Sequence, residues 1–176
     1  EIWEVSRQVV GTALGQANVS ARNLAAVSVT NQRETIVLWD RQTGEPVHNA
    51  IVWQDRRTAE FCDELKERGL EDTFREKTGL VIDAYFSASK IAWLLDNVPG
   101  ARDKALRGEL AFGTIDTWLL WHLTGGNVFA TDPSNASRTM LYDICDLAWS
   151  DELCDLFGVP RAMLPKIKSS IDDFGM

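Results

Sequence analysis

Ala25-Ala26-Val27-Ser28-Val29-Thr30-Asn31-Gln32-Arg33-Glu34-Thr35-Ile36-Val37-Leu38-Trp39 sets two short apolar runs on either side of a dense polar one. Val27 and Val29 share one face, so Ala25 to Thr30 reads as a strand, and Thr35 to Trp39 reads as a second. Asp40-Arg41-Gln42-Thr43-Gly44-Glu45-Pro46 has the turn chemistry of a hairpin loop. A third strand over Ala50 to Trp53 should therefore pair antiparallel with the second. Successive strand residues face opposite sides. If Arg33 and Glu34 serve one site, the backbone must leave regular strand geometry there.

Outward from this stretch the pattern turns helical. Upstream, Ile2, Val5, Val9 and Ala13 lie near one helical face, and the helix should fade near Asn18. Downstream, residues 57 to 69 read as a charged helix that buries Phe61 and Leu65 and carries a Glu64–Arg68 ion pair. Leu70 to Thr78 reads as a shorter one closed by Gly79. Ser87 is placed to cap a helix with Ile91, Leu94, Leu95 and Val98 on one face, stopped by Pro99-Gly100. Leu110 to Gly113 reads as a buried strand, with Asp116 as the cap of the Trp-rich helix that ends at Gly125-Gly126. Ser150 should cap a last helix, with Asp151 and Glu152 in its first turn and Gly158 beyond its end. The class is α/β.

At 176 residues a single core can form without covalent staples. A net charge of −8 argues against nucleic acid or an anionic membrane as partner, because both call for a cationic surface. No apolar stretch approaches the roughly 20 residues that span a bilayer. Cys62, Cys145 and Cys154 are odd in number and form no CxxC, which fits free, mostly buried thiols in a reducing cytoplasm. The chain opens without an initiator Met or a signal peptide and stops without a closing signal, and it reads as a piece of a longer protein.

GxxxxGK[ST], GxGxxG and HExxH are all absent, which argues against a P-loop kinase, a Rossmann dehydrogenase and a zincin. With only His48 and His122, a Ser-His-Asp triad has little support. Arg33 offers five fixed donors and Glu34 two acceptor oxygens, a match for a small polyol whose hydroxyls both donate and accept. On composition alone, a surface ion pair on a turn is the favoured explanation. Trp53 and Tyr85 could wall and orient a polyol, but core packing explains either one taken singly. Trp93, Trp118 and Trp121 have helical spacing and read as core.

Five runs, taken together, resemble the glycerol kinases of the FGGY carbohydrate-kinase family. They are Asn31 to Thr35; Ala50 to Gln54 with Arg56-Arg57; Thr78 to Asp83 with Tyr85-Phe86-Ser87; Phe112 to Leu119; and Thr131-Asp132 with Asn135 to Met140. Tyr85 to Asn97 is similar to the first signature of the wider family. The resemblance implies an actin-like, ribonuclease-H-like fold of two lobes, with a mixed sheet and flanking helices. Residues 1–176 would form part of the N-terminal, substrate-binding lobe. It implies that Arg33 and Glu34 bind glycerol hydroxyls, that Tyr85 binds a further one, and that Trp53 walls the pocket. Lys90 and Trp93 match the signature but are expected to pack, and Asn135 and Ser137 are expected to be structural. The phosphate-binding strands should precede Glu1, and the catalytic Asp and nucleotide lobe should follow Met176. No catalytic or metal residue is therefore assigned here, and ATP and Mg²⁺ should bind mainly outside these residues. The resemblance also implies a cytoplasmic, homo-oligomeric parent enzyme. Two alternatives remain: a kinase for a pentulose or another polyol, and a non-catalytic carbohydrate-binding module with several exposed tryptophans on one sheet face.

Overall fold

The computed structural model describes residues 1–175, which fall into two compact units, Glu1–Thr30 and Asn31 onward. In the first unit, helix α1 (Ile2–Ala17) ends on Asn18 in the left-handed conformation, φ 52°. The Asn18 and Val19 N–H groups close back on the Gly15 and Leu14 carbonyls, which satisfies two acceptors at the helix end. A single 3₁₀ turn, Ala21–Asn23, follows, with the Ser20 hydroxyl accepting from the Arg22 N–H. No strand forms over Ala25 to Thr30, contrary to the sequence pattern: the segment bends at Ala25 and joins no ladder, and Val27 stays 66% exposed. Alternation of apolar residues fits a strand, but a strand also needs a hydrogen-bonded neighbour.

The second unit is built around strands β1 (Ile36–Asp40) and β2 (Leu110–Thr114), which pair antiparallel with Ile36 opposite Thr114 and Asp40 opposite Leu110. Between them in sequence lie α2 (Ala59–Glu67), α3 (Glu71–Thr78), α4 (Ser87–Asn97) and α5 (Ala101–Leu106); α6 (Ile115–Leu123) follows directly. Ile36, Leu38, Leu110 and Phe112 face one side and pack with Ile91, Leu94 and Leu95 of α4. Val37, Trp39 and Ala111 face the other and pack with Trp118 of α6, bordered by Trp121 and Phe129. Burial on both faces explains why Ile36-Val37-Leu38-Trp39 is continuously apolar rather than alternating. The remaining elements are short: β3 (Ala130–Thr131), α7 (Pro133–Ala136), β4 (Tyr142–Asp143), β5 (Ala148–Trp149), α8 (Asp151–Phe157) and β6 (Lys166–Ile167). β3 and β6 pair in parallel and β4 and β5 antiparallel, so both pairing senses occur among flanking helices.

The third strand expected over Ala50 to Trp53 is reduced to one antiparallel bridge, Ile36 to Ile51, and a second bridge, Trp39 to Pro46, falls in the expected loop before it. Pro46 has no N–H to give, and a regular ladder cannot be built on it. The direction was legible, but the main partner of β1 is the far more distant β2. Three cap and pair assignments also shift. Ser87 is the first residue of α4 rather than its cap, and its buried hydroxyl makes no hydrogen bond. Thr114, not Asp116, precedes α6. Lys66 pairs with Asp63 at 2.8 Å in α2, while Arg68 lies at the helix end and forms no ion pair with Glu64. Gly79 (φ 69°) and Ser150, which accepts from the Leu153 N–H, close α3 and cap α8 as their sequence positions suggest.

Candidate functional site

A turn falls at Arg33 and Glu34, immediately before β1. This is the departure that two adjacent site residues require. Upstream, the Asn31 amide donates to the Asp116 carboxylate at 3.4 Å. Asp116 also accepts from the Thr114 hydroxyl, from Thr131 at 2.7 Å and from Thr117 at 3.3 Å. Burial raises the Asp116 carboxyl above its ordinary value, against these hydroxyl donors. The residue read as a helix cap is thus a buttress that fixes the start of the Arg33–Glu34 turn.

Glu34 is 4% exposed, and its Oε1 accepts from Arg138 Nε at 2.8 Å. Its second oxygen makes no hydrogen bond among the described residues. Arg33 is exposed, and its guanidinium likewise has no hydrogen bond or ion pair among the described residues. One acceptor oxygen and a full set of donors are therefore free at neighbouring positions, the combination a vicinal diol needs.

Tyr85 comes from the loop before α4, and several contacts fix that loop. Asp83 Oδ1 accepts from the Tyr85 N–H at 2.7 Å and from Arg56 Nη1 at 2.7 Å. Burial pushes the Asp83 carboxyl up, but these two donors outweigh it and hold the group below its ordinary value. Lys90, fully buried in the first turns of α4, donates from Nζ to the carbonyls of Ala84 at 3.2 Å and Tyr85 at 2.7 Å. Burial lowers its amine to about 8, against the opposing pull of Glu34 and Asp55. Trp53 sits in a turn rather than at a strand end, and its ring meets Tyr85 edge to face at 5.5 Å. The Arg56–Asp83 bond spans the same two segments. The geometry favours an aromatic wall beside a phenol whose hydroxyl carries no internal hydrogen bond.

Glu34, Tyr85 and Trp53 are thus brought together, and Arg33 adjoins them along the chain. The link between Glu34 and Tyr85 is Arg138, which the sequence shows only as one member of the Asn135–Met140 run. Its guanidinium lies 4.9 Å from the Phe86 ring and 5.9 Å from the Tyr85 ring. Asn135 and Asp132 form the local cap of α7: the Asn135 N–H and amide donate to Asp132 Oδ1 at 2.9 and 2.8 Å. Trp93 packs against the main core and carries the Arg57 guanidinium over its ring at 4.4 Å. All seven tryptophans are buried or half-buried, so the exposed aromatic platform of a binding module is absent. Among the described residues no group of three or more His, Cys, Asp or Glu could hold a metal ion. Among the described residues no helix is long and apolar enough to cross a membrane.

The model of the FGGY family of carbohydrate kinases, N-terminal domain, matches residues 1–176. The chain belongs to that family. FGGY relatives include a glycerol kinase from Chromobacterium violaceum, 61% identical over 175 residues, which are 99% of this chain and 35% of that protein. A glycerol kinase from Sinorhizobium fredii is 57% identical over 176 residues, all of this chain and 35% of that protein. The chain therefore spans about a third of the length of the curated relatives it matches. Among solved structures, Plasmodium falciparum glycerol kinase with ADP superposes with a TM-score of 0.88 at 40% identity, covering 94% of this chain and 33% of that one. A xylulose kinase from Brucella ovis superposes with a TM-score of 0.81 over the same fractions at 20% identity, a likeness of fold alone. The mixed α/β arrangement is that of FGGY sugar kinases with the actin-like ATPase fold.

Proposed function

We propose that this chain is the acceptor-binding part of an ATP-dependent glycerol kinase, forming part of its N-terminal lobe. The observation that carries the reading is the joint placement of Glu34, Tyr85 and Trp53 beside an unpaired Arg33. Relatives named glycerol kinase at 57–61% identity over the whole chain support glycerol as the acceptor. In this reading the Arg33 guanidinium donates to two adjacent hydroxyl oxygens, and the free Glu34 oxygen accepts a hydrogen bond from a hydroxyl. Tyr85 orients the third carbon's end, and Trp53 packs on the C–H edge and excludes longer polyols. ATP supplies the phosphoryl group and Mg²⁺ neutralises its charge, both held mainly by sequence beyond these residues, as is the aspartate that takes the hydroxyl proton. Phosphoryl transfer depends chiefly on positioning and charge stabilisation, and these residues contribute the positioning of the acceptor. The protein is expected to be cytoplasmic and homo-oligomeric.

The test is ATP-dependent ADP release by the complete enzyme, with glycerol, xylulose and ribulose offered side by side. A strong preference for glycerol, lost by about a hundredfold or more in kcat/KM on Arg33→Ala, is the expected result. A preference for a pentulose would keep the family and overturn the substrate. No turnover on any of the three would overturn the kinase reading itself.

A further inference from the structure

Arg138 reaches Glu34 from a loop 104 residues further along the chain, and it does more than neutralise a buried charge. Its Nε binds one Glu34 oxygen and leaves the other unbonded. A carboxylate free to turn about its last torsion would present its oxygens in many directions, whereas one pinned at Oε1 has its second oxygen aimed. The same guanidinium lies over the Phe86 ring at 4.9 Å and the Tyr85 ring at 5.9 Å, so one cation is registered on both the acidic and the phenolic side of the site. The backbone around Arg138 is fixed in turn. The Ala88 N–H, in the first turn of α4, donates to the Thr139 carbonyl at 2.9 Å, and Met140 is fully buried at φ 60°. A left-handed, non-glycine residue persists only where its surroundings over-determine it.

From this geometry we propose that Arg138 is a positioning residue for acceptor binding. It sets the free Glu34 oxygen and the Tyr85 ring in mutual register before the polyol arrives. The inference rests on the reading of Glu34 and Tyr85 as hydroxyl-binding groups. Because the alignment exists before binding, its loss falls on acceptor affinity and leaves the nucleotide side untouched. Lysine would restore the charge but neither the directional Nε nor the broad guanidinium contact with the two rings.

The test compares Arg138→Gln and Arg138→Lys in the complete enzyme, with thermal unfolding run alongside steady-state kinetics. Arg138→Gln should raise the KM for glycerol about tenfold or more, with the KM for ATP within about twofold of wild type. Arg138→Lys should fall between them. The fold-changes of Arg138→Gln and Tyr85→Phe should multiply to more than the double variant shows, because both act on one arrangement. A folded Arg138→Gln enzyme with wild-type KM for glycerol would overturn the role of Arg138 alone. If Arg138→Gln does not fold, a wild-type KM for glycerol in Arg138→Lys would overturn it equally. A wild-type enzyme inert towards every polyol would overturn this role together with the functional reading beneath it.

Discussion

Lys90 is an ammonium with no exposed surface and two carbonyl partners, Ala84 and Tyr85. A neutral amine has two hydrogens for two carbonyls, so shedding the third proton costs no hydrogen bond to either. Its folded-state value, lowered to about 8, lies below the unfolded value of 10.5. Between those limits the unfolded chain binds more proton than the folded one, so the contribution of Lys90 to stability rises with pH across that window. The penalty is fully present below pH 8 and gone above 10.5, a swing of about 3 kcal/mol. Unfolding free energies of wild type and Lys90→Met, compared at pH 7.5 and pH 10, should diverge in favour of wild type at the higher pH. A difference that stays flat would mean that burial does not disfavour the charge. Arg33 and Glu34 stood out in the sequence as a polar pair between two apolar runs, a pattern that by itself did not separate a site from a surface ion pair. Arg138 did not stand out, because nothing local marks a partner that chain folding brings in from 104 residues away.

Close approach between elements is concentrated at Gly113, where β2 passes over α6. A Cβ there would stand 2.6 Å from the Thr117 Cβ, 2.9 Å from its Cγ2 and 3.0 Å from the rim of Trp39. Both neighbours are buried, and neither is the loose end of a flexible side chain. Gly113→Ala should therefore cost about 1–3 kcal/mol in urea unfolding, as overpacking does elsewhere. Gly11→Ala, which meets no atom within 4 Å, serves as the control that should not lose stability. An unchanged midpoint for Gly113→Ala would show that the two layers can part at no cost. Helix ends were readable where the signal is local, as at the Gly79 stop and the Ser150 cap, but the short helices α5 and α7 went unread. Strand pairing was not readable, since β1 takes its main partner from residues 110–114 and keeps only bridges with the nearby segment. Asp116 was misplaced for a related reason: an acidic residue at a helix start looks the same in sequence whether it caps or buttresses.

On the scale of the whole molecule, Glu34, Tyr85, Trp53 and Arg138 come from four separate segments held on one framework of β1, β2 and α4. Phosphoryl transfer needs more than a held acceptor, and the chain spans about a third of the length of its relatives. The 176-residue chain assayed alone should leave glycerol unphosphorylated, and turnover by it would refute the division of labour proposed here. The family and its α/β class were legible because several spaced motifs agreed in order, whereas the acceptor's contacts depend on side chains that meet only after folding. The most direct test of that assembly is a structure of the complete enzyme with glycerol bound. Glycerol hydroxyls should lie within about 3.2 Å of Arg33, Glu34 and Tyr85, with the carbon chain against Trp53. Glycerol seated elsewhere, with these four side chains untouched, would contradict the account.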